Sequence, residues 1–472
     1  MEINWLQEAQ KRKEMLLEDL SELLRINSVR DIEHQTDEYP LGAGPALALK
    51  KVLSFGERDG FRVKNIDNLA GHIEYGEETA EALGILGHVD VVPPGEGWAT
   101  DPFEPIVKEG KLFARGSSDD KGPCIAAYYG MKIIKELQLS TWKKIRFIFG
   151  TDEESEWIGI HHYMEKEEMP AFGFSPDANF PIINGEKGIL SFELSFSLKE
   201  EKADKMQLKR FSSGLRANMV PSEAIAVLEI PDLEKLSSLE AGYTKYLDDK
   251  KLKGTFEYKE GEASFVLYGK AAHAQEPKFG INAGTYLADF LHQYPLDSSG
   301  SAYLSVIANY LHEDFNGHRL MVDYEDDVMG KVTSSANVFI YQQEGEKKII
   351  LNIRHPKGIT KEKIQESLLT VLQNESVSIS IIGDIKTPHY VSGDDPFIQT
   401  LLSVYEKHTG EKGYEQTIGG GTYGRILEKG CAYGSLFPGR ENVMHQPNEY
   451  MYVEDILKAT AIYAEAIYRL VK

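Results

Sequence analysis

ALGILGHVDVV, residues 82–92, is the stretch on which the fold turns. It is a short apolar run bounded by glycine and proline, which reads as a buried strand. Working outward, GPCIAAYYGMKIIKELQL (122–139) opens on Gly-Pro and sets Ile125, Tyr129, Ile133 and Leu137 on one face, so a helix is expected there. KKIRFIFGTDEE (143–154) reads as a strand running into an acidic turn, and AFGFSPDAN (171–179) as a shorter strand ending at Pro-Asp. Upstream, Leu16, Leu17, Leu20, Leu23 and Leu24 recur at helical spacing. Strands separated by helices predict an α/β fold whose sheet is mixed, mostly parallel, and covered on both faces.

The texture changes near Gly188. LSFELSFSL (190–198), AIAVLEI (224–230), SFVLYGK (264–270) and KKIILNIRH (347–355) alternate as half-exposed strands do. Helices are expected at 232–247 and 360–372, each after a strand ending in Ile-Pro or His-Pro, which hints at a duplicated small α/β unit. From Thr387 onward the chain returns to glycine-rich loops and apolar helices. The chain has 472 residues, and a single core stops growing near ~250–300 residues. Residues 1–187 and 387–472 are therefore expected to form one catalytic domain, with 188–386 inserted as a large α+β lid.

Acidic residues number 74 against 52 lysines and arginines, a formal charge of −22. Such a surface repels nucleic acid and anionic membranes, so neither is expected as a partner. The two cysteines, Cys124 and Cys431, form no CxxC pair, which argues against a thiolate metal site or a disulfide framework. The N-terminal MEINWLQEAQKRK lacks the apolar segment of a secretion signal, and no apolar run approaches the ~20 residues that span a bilayer. A soluble cytoplasmic protein is the expectation.

The chemistry-bearing residues gather just past the strand ends. His88 and Asp90 stand two apart, so both point the same way and Asp90 can orient the His88 ring. Asp119 and Asp120 lie in RGSSDDKGP before a helix, where a carboxylate either caps the helix or bridges two cations, with Lys121 close by to balance charge. Glu153 and Glu154 follow a strand, so that one can bind metal while the other takes a proton from metal-bound water. Asp177 ends another strand, and His445 lies in NVMHQPNEY. Open α/β sheets place ligands at such ends. Two imidazoles and three carboxylates without thiols suit two divalent cations, zinc first, with manganese or cobalt also possible.

HVD, DDKGP, DEE, PDA and MHQPNE, in that order and spacing, resemble the M20 family of co-catalytic metallopeptidases. ANMVP, GKAAHAQEP, GGGTYGR and the large insert resemble the PepV-like branch of bacterial dipeptidases within it. The resemblance implies that His88 and Asp177 hold one metal, Glu154 and His445 the other, and that Asp119 bridges them with Asp120 only a neighbour. It makes Asp90 the buttress of His88, Glu153 the general base and His273 an oxyanion donor supplied by the lid. It also assigns Asn218, Arg354 and the glycine loop Gly419, Gly420 and Gly421 to substrate. Arg354 suits a peptide carboxylate because guanidinium binds one in a forked geometry.

The expected activity is hydrolysis of dipeptides with a free amino terminus. Alternatives are another activity of the same family, deacylation of N-acyl amino acids or carboxypeptidase action, and, outside catalysis, a metal carrier or regulator. The insert is about twice the size of the dimerising lid of many relatives, so a monomer that hinges between lid and outer domain is expected.

Overall fold

The computed structural model describes the chain except for residues 1–2, 78–80, 199–204 and 232–233, and of residues 234 and 235 only the backbone. The helix expected at 232–247 thus begins outside the described residues; its body runs Glu234–Lys250. The chain divides into two compact units, one made of Met1–Gly185, Tyr390–Gln416 and Gly421–Lys472, the other of Glu186–His389 and Thr417–Gly420.

The first unit is built on a six-stranded sheet ordered Arg62–Ile66, Ala70–Tyr75, Lys144–Gly150, Ala82–His88, Phe172–Ser175, Lys429–Ala432. The first three strands pair antiparallel with one another, and the last four run parallel. The expected strand at 82–92 forms Ala82–His88, buried from its second residue on. A parallel strand is covered on both faces, so it has no polar side to show. Glycine lets the cover come close: a Cβ on Gly87 would lie 2.2 Å from Cys124 Sγ.

That cover is the helix Lys121–Glu136, and here the structure exceeds the expectation of one apolar face. Every residue from Lys121 to Ile134 is buried. The reason is tertiary, because the helix packs against the strand Ala82–His88, the helix Lys13–Leu24 and the C-terminal helix Val453–Val471. The last crossing is tight, since a Cβ on Gly130 would lie 2.9 Å from the Ala464 nitrogen.

The second unit holds one eight-stranded sheet, antiparallel throughout, ordered Lys253–Lys259, Glu262–Tyr268, Glu223–Glu229, Gln207–Ser213, Thr333–Gln342, Lys347–His355, Gly188–Phe196, Val377–Lys386. Buried and half-buried residues alternate along Gly188–Phe196, as they do in a sheet with one face on a core and one facing solvent. Both strand–helix repeats noticed in the sequence lie in this sheet. The helix Glu234–Lys250 leads from Glu223–Glu229 to a strand two places away, and Lys361–Val371 does the same from Lys347–His355. Among the described residues, no helix is long and apolar enough to cross a membrane.

Candidate metal centre

The first unit brings His88, Asp90, Asp119, Glu153, Glu154, Asp177 and His445 to the C-terminal ends of its parallel strands. His88 is the last residue of its strand, and Glu153 and Asp177 follow Lys144–Gly150 and Phe172–Ser175. Side chains released at parallel strand ends converge because neighbouring strands finish at one edge.

Asp119 lies at the centre. Its Oδ1 is 3.1 Å from His88 Nε2, and its Oδ2 is 2.8 Å from His445 Nε2. His88 Nε2 also lies 3.7 Å from Asp177 Oδ2, and His445 Nε2 2.8 Å from Glu154 Oε1. One carboxylate thus faces two imidazoles, each with a further acid beside it. Two groups of donor atoms come close enough to hold a cation: His88, Asp119 and Glu154, and His88, Glu153 and Asp177.

Asp90 organises this edge. His88 Nδ1 lies 3.0 Å from the Asp90 carbonyl and 3.3 Å from its Oδ1. The Asp90 carboxylate also accepts the Glu153 and Glu154 amides at 3.1 and 3.2 Å. The indole of Trp157 donates to the Glu153 carbonyl at 2.7 Å. His445 sits in the left-handed region, with φ 63°, a conformation that costs a non-glycine residue about 1–3 kcal/mol and persists where surrounding structure enforces it.

The electrostatics show how crowded the acids are. Burial opposes charge on His88, but the charge of Asp90 and hydrogen bonds to Asp119 and Asp90 outweigh it and hold the ring protonated well above its ordinary range. Burial likewise opposes charge on His445, yet hydrogen bonds to Asp119 and Glu154 push its pKa up to about 11. Burial and the charge of Asp119 push Asp177 well above the usual carboxylate range, and the same two causes raise Glu154. Asp119 itself is lowered, because its hydrogen bonds to the two histidines overcome burial. Acids pushed up by burial and by one another's charge, beside imidazoles held up by those acids, form a set short of positive charge. Divalent cations would displace its protons, and the imidazole and carboxylate donors suit them.

Asp120 is buried and points elsewhere: its Oδ2 accepts the His88 amide at 3.2 Å and the Cys124 thiol at 3.1 Å. Lys121, expected to balance the acids, feels the charges of Asp90 and Glu449, while its hydrogen bonds go to the Leu23 and Ile26 carbonyls at 3.2 and 2.8 Å. Its side chain runs back to the end of the helix Lys13–Leu24, and burial lowers its pKa to about 7. Sequence reasoning passed over Glu449 and Arg115. Glu449 is fully buried and paired with Arg115 at 2.6 Å. Asp152 accepts the Ile158 and Gly159 amides at 2.7 and 2.9 Å, which starts the helix after the glutamates. The one available signal was spacing, since Glu449 stands four residues after His445 in MHQPNE.

The remaining candidates belong to the second unit, apart from Gly421, which falls in the first. His273 pairs with Met219 across a short antiparallel ladder, and Ala274 donates to the Asn218 carbonyl at 2.9 Å. The Gln275 amide donates to His273 Nδ1 at 3.2 Å, so a neutral ring carries its proton on Nε2. A Cβ on Gly419 would lie 2.7 Å from Gln275 Cβ, a close approach that glycine permits. Arg354 is 4% exposed and donates to Asn352 Oδ1 at 2.7 Å and to the Gly419 carbonyl at 2.9 Å. The unit thus gathers Asn218, His273, Gly419 and Arg354 into one connected neighbourhood.

Comparison with known proteins agrees with this architecture. A Beta-Ala-Xaa dipeptidase of Lactobacillus delbrueckii subsp. lactis is 44% identical over 473 residues, covering 100% of this chain and 99% of the relative. The aminoacylhistidine dipeptidase of Vibrio alginolyticus superposes with a TM-score of 0.58 at 12% identity, covering 97% of this chain and 96% of that one. A Bacillus subtilis protein described as a dinuclear metal binding peptidase from M20 family superposes with a TM-score of 0.50 at 10% identity, covering 98% of this chain and 99% of that one. At such identities the superpositions speak for the fold alone. The family described as Peptidase family M20/M25/M40 matches residues 84–469, and the chain belongs to it.

Proposed function

We propose that this chain is a dinuclear metal-dependent dipeptidase that cleaves the amide bond of dipeptides with a free amino terminus. One observation carries the reading: the two oxygens of Asp119 face two different imidazoles, 3.1 Å from His88 and 2.8 Å from His445. Shared this way, Asp119 completes two like sets, with His88 and Asp177 on one side and His445 and Glu154 on the other. Two cations bound there would supply Lewis acidity and lower the pKa of a shared water. Zinc suits these donors, as do cobalt and manganese.

Glu153 is the acid left over from the two sets. It lies close enough to His88 and Asp177 to be a third donor there, but we assign it as the base because both sets are complete without it. Asp90 holds its amide and Trp157 its carbonyl, which fixes its backbone, and its carboxylate is assigned to take the proton of the attacking water and return it to the leaving amine. In the second unit, His273 is assigned as donor to the tetrahedral oxyanion through Nε2, and Arg354 as partner of the peptide carboxylate, with Asn218 and Gly419–Gly421 as further substrate contacts. The dipeptide preference is supported by the Lactobacillus relative that this chain matches end to end. Two buried free cysteines suit a reducing compartment, and we assign the chain to the cytoplasm.

The test is Glu153→Ala with a substrate panel of free and N-acetylated dipeptides, tripeptides and N-succinyl amino acids. The wild-type chain should cleave the free dipeptides best. The variant should keep its metal content and lose about 10²–10⁴-fold in kcat. Loss of metal in the variant would make Glu153 a ligand, and preferred cleavage of acylated substrates would overturn the dipeptidase reading.

A further inference from the structure

We propose that Glu449 is a positioning residue that sets the Asp119 carboxylate and the His445 ring as one piece, an inference that rests on the dinuclear reading above. The two loops leave the same short antiparallel ladder. Lys111–Phe113 pairs with Tyr450–Tyr452, Phe113 stands opposite Tyr450, and the ladder is extended by the Ala114 amide donating to the Glu449 carbonyl at 3.2 Å. One strand runs out into the Asp119 loop, and the other is entered from the His445 loop. Glu449 sits at that fork, fully buried.

Its carboxylate is saturated by donors from the Asp119 loop. Oε1 accepts the Ser118 amide at 2.8 Å, the Ser118 hydroxyl at 3.0 Å and the Asp119 amide at 3.2 Å. Oε2 accepts Arg115 Nη1 at 2.6 Å and the Gly116 amide at 3.1 Å. The peptide that carries Asp119 is therefore held at its own nitrogen by a residue four places from His445. On the other side, His445 and Asn448 both take left-handed backbone, with φ 63° and 61°. The Asn448 side chain accepts the Ala99 amide at 2.7 Å and donates to the Gly97 carbonyl at 3.2 Å. The turn between imidazole and carboxylate is thereby fixed at its Asn448–Glu449 end.

The chemistry requires an acceptor at both oxygens. Glutamine has the same shape, but its NH₂ only donates. In one orientation that NH₂ would confront the Ser118 and Asp119 donors, in the other Arg115 and Gly116. Glu449→Gln should therefore release the Asp119 loop although it removes no ligand and leaves the side-chain volume nearly unchanged.

The experiment compares wild type and E449Q in a cobalt titration followed by visible absorption, with amide hydrogen exchange on the metal-free proteins. Loss of an outer partner of a metal ligand typically costs 10–100-fold in metal affinity. E449Q should bind cobalt about 10–100-fold more weakly, recover kcat at saturating cobalt with KM within about twofold of wild type, and lose amide protection over residues 116–119. Affinity and protection equal to wild type would overturn the inference. A wild-type chain that takes up no cobalt would instead sink the dinuclear reading, and this inference with it. Should E449Q fail to fold, S118A carries the test by removing one donor to Oε1. Weaker cobalt binding would then support the inference, and unchanged binding would overturn it.

Discussion

The two units solve different problems with polar side chains. In the first, the chemistry-bearing residues hang on loops beyond a parallel sheet edge, and their charges conflict: burial and Asp119 hold Asp177 and Glu154 above their ordinary range. In the second, Arg354 and His273 stand on strands of antiparallel ladders, where Arg354 donates to Asn352 Oδ1 and the Gly419 carbonyl and His273 Nδ1 accepts the Gln275 amide. A cluster left in electrostatic conflict is built to be completed by cations. A guanidinium and an imidazole tied to neighbouring backbone and amide groups are oriented before any substrate arrives.

The comparison breaks first at Asp119. If it serves both donor sets, Asp119→Ala should lose both metals and reduce turnover to background, since water activation depends on them. Metal analysis and kcat on one preparation check this, and retention of one full equivalent would mean that Asp119 serves only one set. The contrasting change lies in the second unit: His273→Ala should leave metal content intact and lower kcat by about 10²–10³-fold, the usual worth of one oxyanion donor. A drop in metal content there would erase the division of labour.

The smallest effect is on stability. In EDTA, Asp120 is raised by burial from 3.8 to about 7, and His445, its hydrogen bonds outweighing burial, from 6.5 to about 11. Groups raised on folding contribute stability that is present below the unfolded value and lost as pH rises through the folded one. Asp119 is lowered, so its contribution is lost only on acidification, outside this window, and Lys121, lowered to about 7, offsets only part of the loss above that pH. The metal-free first unit should therefore melt at lower temperature at pH 9 than at pH 5, by about 2–4 °C for each kcal/mol lost. Added cobalt should remove the slope. Calorimetry with and without EDTA checks both, and a Tm that rises with pH in EDTA would contradict the charge balance described above.

Much of the architecture was legible because it rests on local pattern. ALGILGHVDVV reads as a buried strand since no polar residue interrupts it before His88, and Gly188–Phe196 reads as half-exposed because its residues alternate. The burial of Lys121–Ile134 on every side was not legible, because it depends on Val453–Val471 arriving from more than three hundred residues away. The same holds within the centre. His88 with Asp90 and Glu153 with Glu154 are visible as neighbours in the chain. Glu449, in a polar stretch near the C-terminus, looks like any surface acid until the ladder with Lys111–Phe113 buries it.

By itself the sequence determined which segments are strands and helices and which residue types stand at the strand ends, because periodicity and turn chemistry act over a few residues. Residue chemistry alone left Asp119 and Asp120 equal; the resemblance pointed to Asp119, and the tertiary structure turns its two oxygens toward His88 and His445, while Asp120 turns toward the His88 amide and Cys124. Adjacent aspartates have the same chemistry, and the direction of each carboxylate is set by donors brought from distant parts of the chain.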